Sequence, residues 1–266
     1  MTPDTSGPGE DEAETLAEGS LVSHLVELRN RLLMGAAAVL IIFICLVPFS
    51  ETIFTLIATP LMEKLPEGAT MIATQVASPF LTPFKMTLFV ALFLAMPVVL
   101  TQVWHFVAPG LYLKEKRFAF PLLLSSIVLF YAGVSFAYFV VFPLMFAFFA
   151  AVAPEGVTMM TDISAYLDFI LALFFAFGLA FEVPIATVIL VWSGLVPLQT
   201  LARARAYVFL GAFVMGMLLT PPDVISQTLL AVPVYLLYET GLLMARLFGP
   251  ETDKPDESDE ADDARE

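Results

Sequence analysis

Residues 171–192 read LALFFAFGLAFEVPIATVILVW, an apolar stretch that contains one acidic residue and one proline. A helix rises about 1.5 Å per residue and needs about 20 residues to cross about 30 Å of hydrocarbon, so this stretch is long enough to span a membrane. An ionised carboxylate near the middle of such a helix costs at least about 2.5 kcal/mol, which marks Glu182 for a specific role. Pro184 removes a backbone donor two residues later, so the helix is expected to bend there.

Glu182 has two interpretations. The residues four positions away, Gly178 and Ala186, are small and permit another helix or water to approach the carboxyl group. In the structural interpretation, a protonated Glu182 forms hydrogen bonds within a helical bundle and fixes its packing. In the functional interpretation, Glu182 is a polar position that meets a partner helix or thins the membrane barrier.

Composition extends the membrane prediction to the whole chain. Of its 266 residues, 59% are apolar and 14% are charged, too little polar surface for a soluble protein of this size to cover its core. Pro97 and Pro233 should bend two of the helices into a kinked, cupped arrangement. Six apolar segments predict an all-α polytopic fold with six transmembrane helices, at roughly 32–49, 86–108, 118–142, 166–192, 206–220 and 226–245.

Basic residues predict the orientation of these helices. With six crossings, only Lys64 and Lys85 of the membrane domain fall on one side. The other side holds Arg29, Arg31, Lys114, Lys116, Arg117, Arg203, Arg205 and Arg246. By the positive-inside rule this second side is the cytoplasm, so both termini are expected there.

Acidic residues are concentrated at the two ends of the chain. Residues 1–20 carry six acidic residues and no basic one, and residues 250–266 carry nine acidic residues against two basic ones. Such strongly charged segments favour disorder. We therefore expect acidic disordered cytoplasmic tails at 1–20 and 249–266, around a six-helix membrane domain at 21–248.

Two further carboxylates fall near the predicted cytoplasmic surface. Glu27 belongs to an amphipathic segment before the first span, and Glu115 lies among basic residues in the loop after the second. A lipid-binding interfacial helix and local charge balance would account for them. They would also suit a peptide with paired arginines, because a carboxylate can hold a guanidinium in a bidentate pair.

Five segments, in order and in one register, resemble the TatC family, the six-helix subunit of the bacterial twin-arginine protein translocase. The resemblance covers about residues 21–248, while the acidic tails depart from it. Its segments are SHLVELRNRLL (23–33), MIATQVASPF (71–80), LYLKEKR (111–117), AFGLAFEVPIA (176–186) and LLTPPDVISQTLLA (218–231).

The resemblance implies a signal-peptide receptor and core translocase subunit that exports folded proteins with the proton-motive force. It implies that Glu182 and Pro184 form an intramembrane polar site, which favours the functional interpretation of Glu182. It also implies partner-helix docking at Met217, Thr220 and Gln227. The residues it implies at the twin-arginine site are Glu27, Glu115, Arg29, Phe106, Leu111 and Tyr112.

The same resemblance implies partners and a location. The partners are the single-span subunits TatA and TatB, twin-arginine signal peptides of folded cargo, further copies in a larger complex, and membrane lipid. The location is the bacterial cytoplasmic (inner) membrane. No nucleic acid, cofactor, metal or enzymatic activity is expected, and the sequence has no phosphate-binding GxxxxGK[ST] loop.

A proton- or cation-coupled secondary transporter is the alternative. It would use Glu182 as the ion site on a proline-broken helix. It accounts for the buried carboxylate but not for Glu27 and Glu115, and no internal repeat is visible.

Overall fold

A computed structural model describes residues 10–62, 70–107, 119–152, 160–219 and 224–248. Within them the chain is almost entirely helical. The helices are α1 (Glu10–Leu46), α2 (Ser50–Met62), α3 (Ser78–Val107), α4 (Ala119–Phe136), α5 (Phe142–Val152), α6 (Ile163–Ala180), α7 (Val183–Trp192), α8 (Leu198–Arg203), α9 (Arg205–Leu219) and α10 (Val224–Phe248). A 3-10 turn (Val47–Phe49) precedes α2, a π-helical segment (Ala137–Val141) joins α4 to α5, and strands β1 (Thr70–Ile72) and β2 (Met160–Asp162) pair in parallel.

The predicted all-α membrane fold is confirmed. Within the described ranges, five helical stretches are long and apolar enough to cross a membrane: Leu25–Ile57, Ser78–Phe106, Phe120–Phe149, Ile163–Trp192 and Val224–Leu247. The fifth predicted segment forms the shorter apolar helix α9, of 15 residues. The chain is therefore a multi-pass membrane protein.

Helix α1 begins earlier than the sequence suggested. It starts at Glu10, so residues 10–20 are helical where we expected a disordered acidic tail. Glutamate and alanine are good helix formers and make up six of these eleven residues, which favours a helical start of α1 here. Residues 1–9 and the predicted tail 249–266 lie outside the described residues.

The chain divides into two compact units. Among the described residues, the first contains α1 to α3, α4 up to Val128, α5, both strands and α6 up to Ala172. The second contains the rest of α4, the π-helical segment and the chain from Leu173 onward.

In the first unit, α3 packs against α1 and α2 around small and apolar residues such as Met86, Ala91 and Ala95, all fully buried. Aromatic rings join α5 to α6, with Phe146 contacting Tyr166 at a centroid distance of 5.4 Å. An ion pair of 2.5 Å between Lys85 Nζ and Asp168 Oδ1 links α3 to α6.

Asp162 fastens the short sheet of the first unit to α6. One carboxylate oxygen accepts hydrogen bonds from the backbone N–H groups of Ser164 and Ala165, both at 3.0 Å, as a helix N-cap does. The other accepts from the backbone N–H and the hydroxyl of Thr74, at 2.8 and 2.6 Å. These bonds, that from the Thr74 hydroxyl above all, lower the pKa of Asp162 to about 2.

In the second unit, α10 packs against α7 and α9. Glycines permit the closest approaches. A Cβ atom added to Gly241 would lie 2.8 Å from Pro184 Cα, and one added to Gly178 would lie 2.6 Å from Cε2 of the Phe130 ring. Gly211 of α9 differs, since a Cβ there would meet nothing within 4 Å.

We predict that Asp162→Asn lowers thermal stability and removes a pH dependence. The folded pKa of about 2 lies below the ordinary 3.8, so the contribution of Asp162 is complete above pH about 4 and is lost as the pH falls toward about 2. Thermal unfolding of the detergent-solubilised protein between pH 5 and 2 measures this. The exposed Glu51→Gln serves as the control, and an unchanged pH profile in Asp162→Asn would contradict the prediction.

Gly178→Ala should destabilise the protein by about 1–3 kcal/mol, because the new methyl group overpacks the contact with the Phe130 ring. Gly211→Ala is the matched control and should stabilise by about 0.5–1 kcal/mol, since alanine is the better helix former and the site is open. Denaturant or thermal unfolding of both variants in one detergent compares them. Equal effects would mean that the Phe130 contact is not tight in the folded protein.

Candidate functional site

The first candidate site lies where α1 meets α3 in the first unit. Glu27 and Arg31 are one helical turn apart on α1, and Arg31 Nη2 donates a hydrogen bond to Glu27 Oε1 at 3.2 Å. Arg31 Nη1 donates a second to Oε1 of Gln102 on α3, at 3.4 Å. The side chains of Arg31 and Glu27 are 28% and 39% exposed, so both remain accessible. One guanidinium thus bridges the two helices beside a reachable carboxylate.

An apolar groove of about 360 Å³ is lined in part by Arg31 and Gln102 of this polar cluster. Its walls are mainly aliphatic, and Arg31 and Gln102 are its polar members. The small residues Gly35 and Ala36 leave room for it, since a Cβ on Gly35 would come no nearer to α3 than 3.7 Å, at Val99 Cγ2. Phe106, one of the predicted site residues, also lines the groove. The combination of a mostly apolar concavity with a few polar groups is typical of a binding site.

The structure brings together some of the residues predicted for this site. Glu27 lies beside the groove through its bond to Arg31, and Phe106 lines it. Arg29 is exposed and donates a hydrogen bond of 3.3 Å to the neighbouring Asn30. Leu111, Tyr112 and Glu115 lie outside the described residues.

Arg31 and Gln102 were not among the predicted residues. The four-residue spacing of Glu27 and Arg31 could have indicated their pairing, because side chains at that spacing are neighbours on a helix. No sequence signal places Gln102 opposite them.

The second candidate site is the break at Glu182, in the second unit. Helix α6 ends at Ala180 and α7 begins at Val183, so the predicted interruption is present. The backbone N–H of Glu182 bonds to Leu179 O at 3.0 Å, three residues back rather than four, which tightens the turn. Pro184 is buried in the first turn of α7, where a missing N–H costs nothing.

The Glu182 side chain is half-buried, and its Oε1 atom is inaccessible to solvent. Of the two small neighbours, Gly178 is covered by the Phe130 ring, while Ala186 is exposed. The Phe130 ring therefore already fills the space beside Gly178 that a small residue leaves open. The Ala186 side is the accessible one.

The third candidate site lies on α9 and α10. Met217 is 51% exposed, and its neighbour Gly216 lies against the backbone of Gln227, where an added Cβ would be 3.4 Å from Gln227 Cα. This close approach brings the half-buried Gln227 next to Gly216, the neighbour of Met217 in the chain. Thr220 lies outside the described residues.

A further cluster on α9 and α10 was also missed by the sequence analysis. Arg205 Nε and Nη2 donate to the two carboxylate oxygens of Glu239, at 2.7 and 3.1 Å. The Tyr235 hydroxyl donates to the same carboxylate at 2.9 Å. The Tyr238 hydroxyl donates to Leu201 O of α8 at 2.6 Å. These bonds tie α8, α9 and α10 together, and the sequence separation of 34 between Arg205 and Glu239 explains why no local pattern indicated them.

Comparison with known proteins identifies the family of this chain. The model of the family described as Sec-independent protein translocase protein (TatC) matches residues 23–233. The chain is 66% identical over 222 residues to the Sec-independent protein translocase protein TatC of Azotobacter chroococcum mcd 1, an alignment that covers 84% of this chain and 87% of that protein. It is 54% identical over 228 residues to the TatC protein of Escherichia coli strain K12, with 86% and 88% covered.

The fold agrees with this relationship. The structure is similar to a crystal structure of the twin-arginine translocase receptor TatC, with a TM-score of 0.76 and 38% sequence identity, over 84% of this chain and 98% of that one. The family match covers well over half of the chain. This chain therefore belongs to the TatC family of Sec-independent protein translocase proteins.

Proposed function

We propose that this protein is the signal-peptide receptor and core subunit of a twin-arginine translocase, which exports folded proteins across the cytoplasmic membrane with the proton-motive force. The observation that carries the proposal is the accessible Glu27 carboxylate, which is bonded to Arg31 in the wall of an apolar groove. A signal peptide with paired arginines and a following apolar segment matches both features. Membership of the TatC family supports the assignment.

The recognition site would combine two carboxylates that bind the arginine pair with neighbouring residues that contact the rest of the peptide. Glu27 would accept one guanidinium of the arginine pair, and Glu115 of the following loop would accept the other. Arg29 and Phe106 would complete the surface together with Leu111 and Tyr112. A guanidinium fits a carboxylate in two-point geometry, whereas a lysine ammonium makes one contact, so arginine should be preferred.

The proposal also includes the partner subunits, further copies of the chain and the location of the complex. TatA and TatB type subunits would dock along α9 and α10 at Met217, Thr220 and Gln227, and further copies of the chain would join a larger assembly. The basic residues Arg29, Arg31, Arg203 and Arg205 favour a cytoplasmic location for both termini, in the bacterial inner membrane. The role is one of binding and transport, with no cofactor, nucleic acid or enzymatic step.

Glu182 and Pro184 would form a polar site within the membrane. The half-buried carboxyl group lies at a break between two helices, and the exposed Ala186 leaves one side of it open to approach. A polar residue of a partner helix could bind there, because an intramembrane carboxyl group gains most from a polar neighbour. A proton- or cation-coupled transporter would use the same break differently, by moving small solutes.

A fluorescent signal peptide with paired arginines should bind more tightly than its paired-lysine twin. Glu27→Gln and Glu115→Gln should each weaken the arginine peptide by about 10-fold or more, because a charge-assisted hydrogen bond contributes about 1.5–3 kcal/mol. Fluorescence anisotropy on the detergent-solubilised protein measures both affinities. Binding to inside-out vesicles but not to right-side-out vesicles would place the site on the cytoplasmic face.

Glu51→Gln, an exposed acidic residue of α2, is the control for loss of one negative charge. Equal binding of the two peptides, unchanged by either substitution at Glu27 or Glu115, would contradict the receptor proposal.

Glu182→Ala and Glu182→Gln should fold and bind the signal peptide, yet reduce export by about fivefold, the factor for one net hydrogen bond of about 1 kcal/mol. Export of a folded reporter from cells measures this, with the exposed Thr240→Ala of α10 as the control. Normal export by both variants would remove the functional role of Glu182. Loss of the protein from the membrane would favour a packing role, and small-solute uptake by proteoliposomes would favour the transporter.

A further inference from the structure

The carboxylate proposed to receive a signal arginine already accepts a hydrogen bond from an arginine of its own chain. Arg31 Nη2 lies 3.2 Å from Glu27 Oε1. We propose that Arg31 is an internal competitor for Glu27, which an arginine-bearing ligand must displace and which sets the affinity threshold of the site. This inference rests on the proposed function and names a residue that controls the same site.

The bond between Arg31 and Glu27 has the geometry of an exchangeable contact. A single nitrogen meets a single oxygen, at a distance longer than the 2.7–2.9 Å typical of charge-assisted bonds. The Arg205–Glu239 pair of the second unit differs, since two nitrogens of its guanidinium meet both oxygens, at 2.7 and 3.1 Å. Among the described residues, the Arg–Glu pairs are therefore of two kinds, and it is the single-point pair that lies at the groove.

Gln102 provides a hydrogen-bond acceptor for the guanidinium of Arg31 after it has left Glu27. Its amide oxygen accepts from Arg31 Nη1 at 3.4 Å, so Arg31 can release Glu27 without losing its contact with α3. A guanidinium carries five N–H donors, of which the bonds to Glu27 and Gln102 use two. Both side chains of the pair are partly exposed, so an incoming ligand can reach the carboxylate before Arg31 leaves.

Competition of this kind has a definite thermodynamic signature. Arg31 holds one oxygen of Glu27, so a ligand arginine that uses both oxygens must displace it, whereas a ligand lysine can bind the second oxygen while Arg31 stays. The preference for arginine comes from the second contact that a guanidinium makes with the carboxylate, and Arg31 occupies one of the two oxygens that this geometry needs. Removing a competitor therefore tightens the binding of an arginine ligand more than that of a lysine ligand and raises the ratio of the two affinities. If Arg31 instead oriented Glu27 for the ligand, removing Arg31 would weaken binding and lower the ratio of arginine affinity to lysine affinity.

The test is peptide binding to the full-length, detergent-solubilised protein with four forms of the chain: wild type, Arg31→Gln, Arg31→Lys and Arg203→Gln. The paired-arginine and paired-lysine signal peptides are titrated against each. Arg31→Gln should tighten the arginine peptide by about two- to fivefold, the factor for a partly exposed ion pair of about 0.4–1 kcal/mol, and the lysine peptide by less. Arg31→Lys keeps a cation one turn from Glu27, so it should stay within about twofold of wild type.

Arg203→Gln removes an exposed positive charge from the same predicted face of the membrane and controls for net charge. It should tighten binding less than Arg31→Gln. Equal tightening by the two variants would mean that net repulsion, and not competition, is at work, and the inference would fall. Weaker or unchanged binding of the arginine peptide by Arg31→Gln, or an unchanged arginine-to-lysine ratio, would also overturn it, and a reduced ratio would identify Arg31 as a positioning residue.

The wild-type measurement separates this inference from the proposal beneath it. If wild type does not distinguish the two peptides and Glu27→Gln has no effect, the receptor function itself fails. If wild type prefers arginine and depends on Glu27, only the behaviour of the Arg31 variants decides whether the competitor exists.

Discussion

Polar groups in this chain must be satisfied within the protein, because the hydrocarbon around most of its helices supplies no hydrogen bonds. Hydroxyl groups meet the constraint locally. Thr87, Thr101 and Ser125 donate to the carbonyl oxygens of Pro83, Pro97 and Pro121, each four residues earlier, at 2.6–2.9 Å. Charged groups meet it in pairs, as Lys85 with Asp168, Arg31 with Glu27 and Arg205 with Glu239. The polar side chains therefore determine where helices are joined, and the apolar side chains can face the lipid.

Helix contacts in the second unit depend on glycines, which lack a side chain, as much as on the larger side chains that pack there. Apolar side chains gain little by leaving lipid for one another, so helices associate where small residues let backbones approach. Gly241 admits Pro184 and Thr187, and Gly216 admits the backbone of Gln227. The break at Glu182 matters here, because it presents the buried Pro184 to α10. Thus one interruption in an apolar helix creates a polar position and a packing surface together.

The features that could be predicted from the sequence are those that depend on a single segment of the chain. Apolar length located the spans, and Glu182 with Pro184 indicated the break between α6 and α7. The missed features depend on the register between helices. Gln102 is 71 residues from Arg31, and Asp168 lies on a different helix from Lys85, so no local pattern could pair them. The helical start of α1 at Glu10 was missed for another reason, since net acidity was given more weight than the helix propensity of glutamate and alanine.

The two Arg–Glu pairs among the described residues show how the same two side chains can serve different purposes. Arg205 and Glu239 use both nitrogen–oxygen contacts and recruit Tyr235, which suits a permanent joint between α9 and α10. Arg31 and Glu27 use one contact, and the second oxygen of Glu27 accepts no hydrogen bond from the described residues. A two-point pair resists exchange because both contacts must break together, whereas a one-point pair can be replaced stepwise by a ligand that binds the second oxygen first. Geometry, and not residue type, therefore separates the carboxylate that holds the fold from the one that is suited to bind.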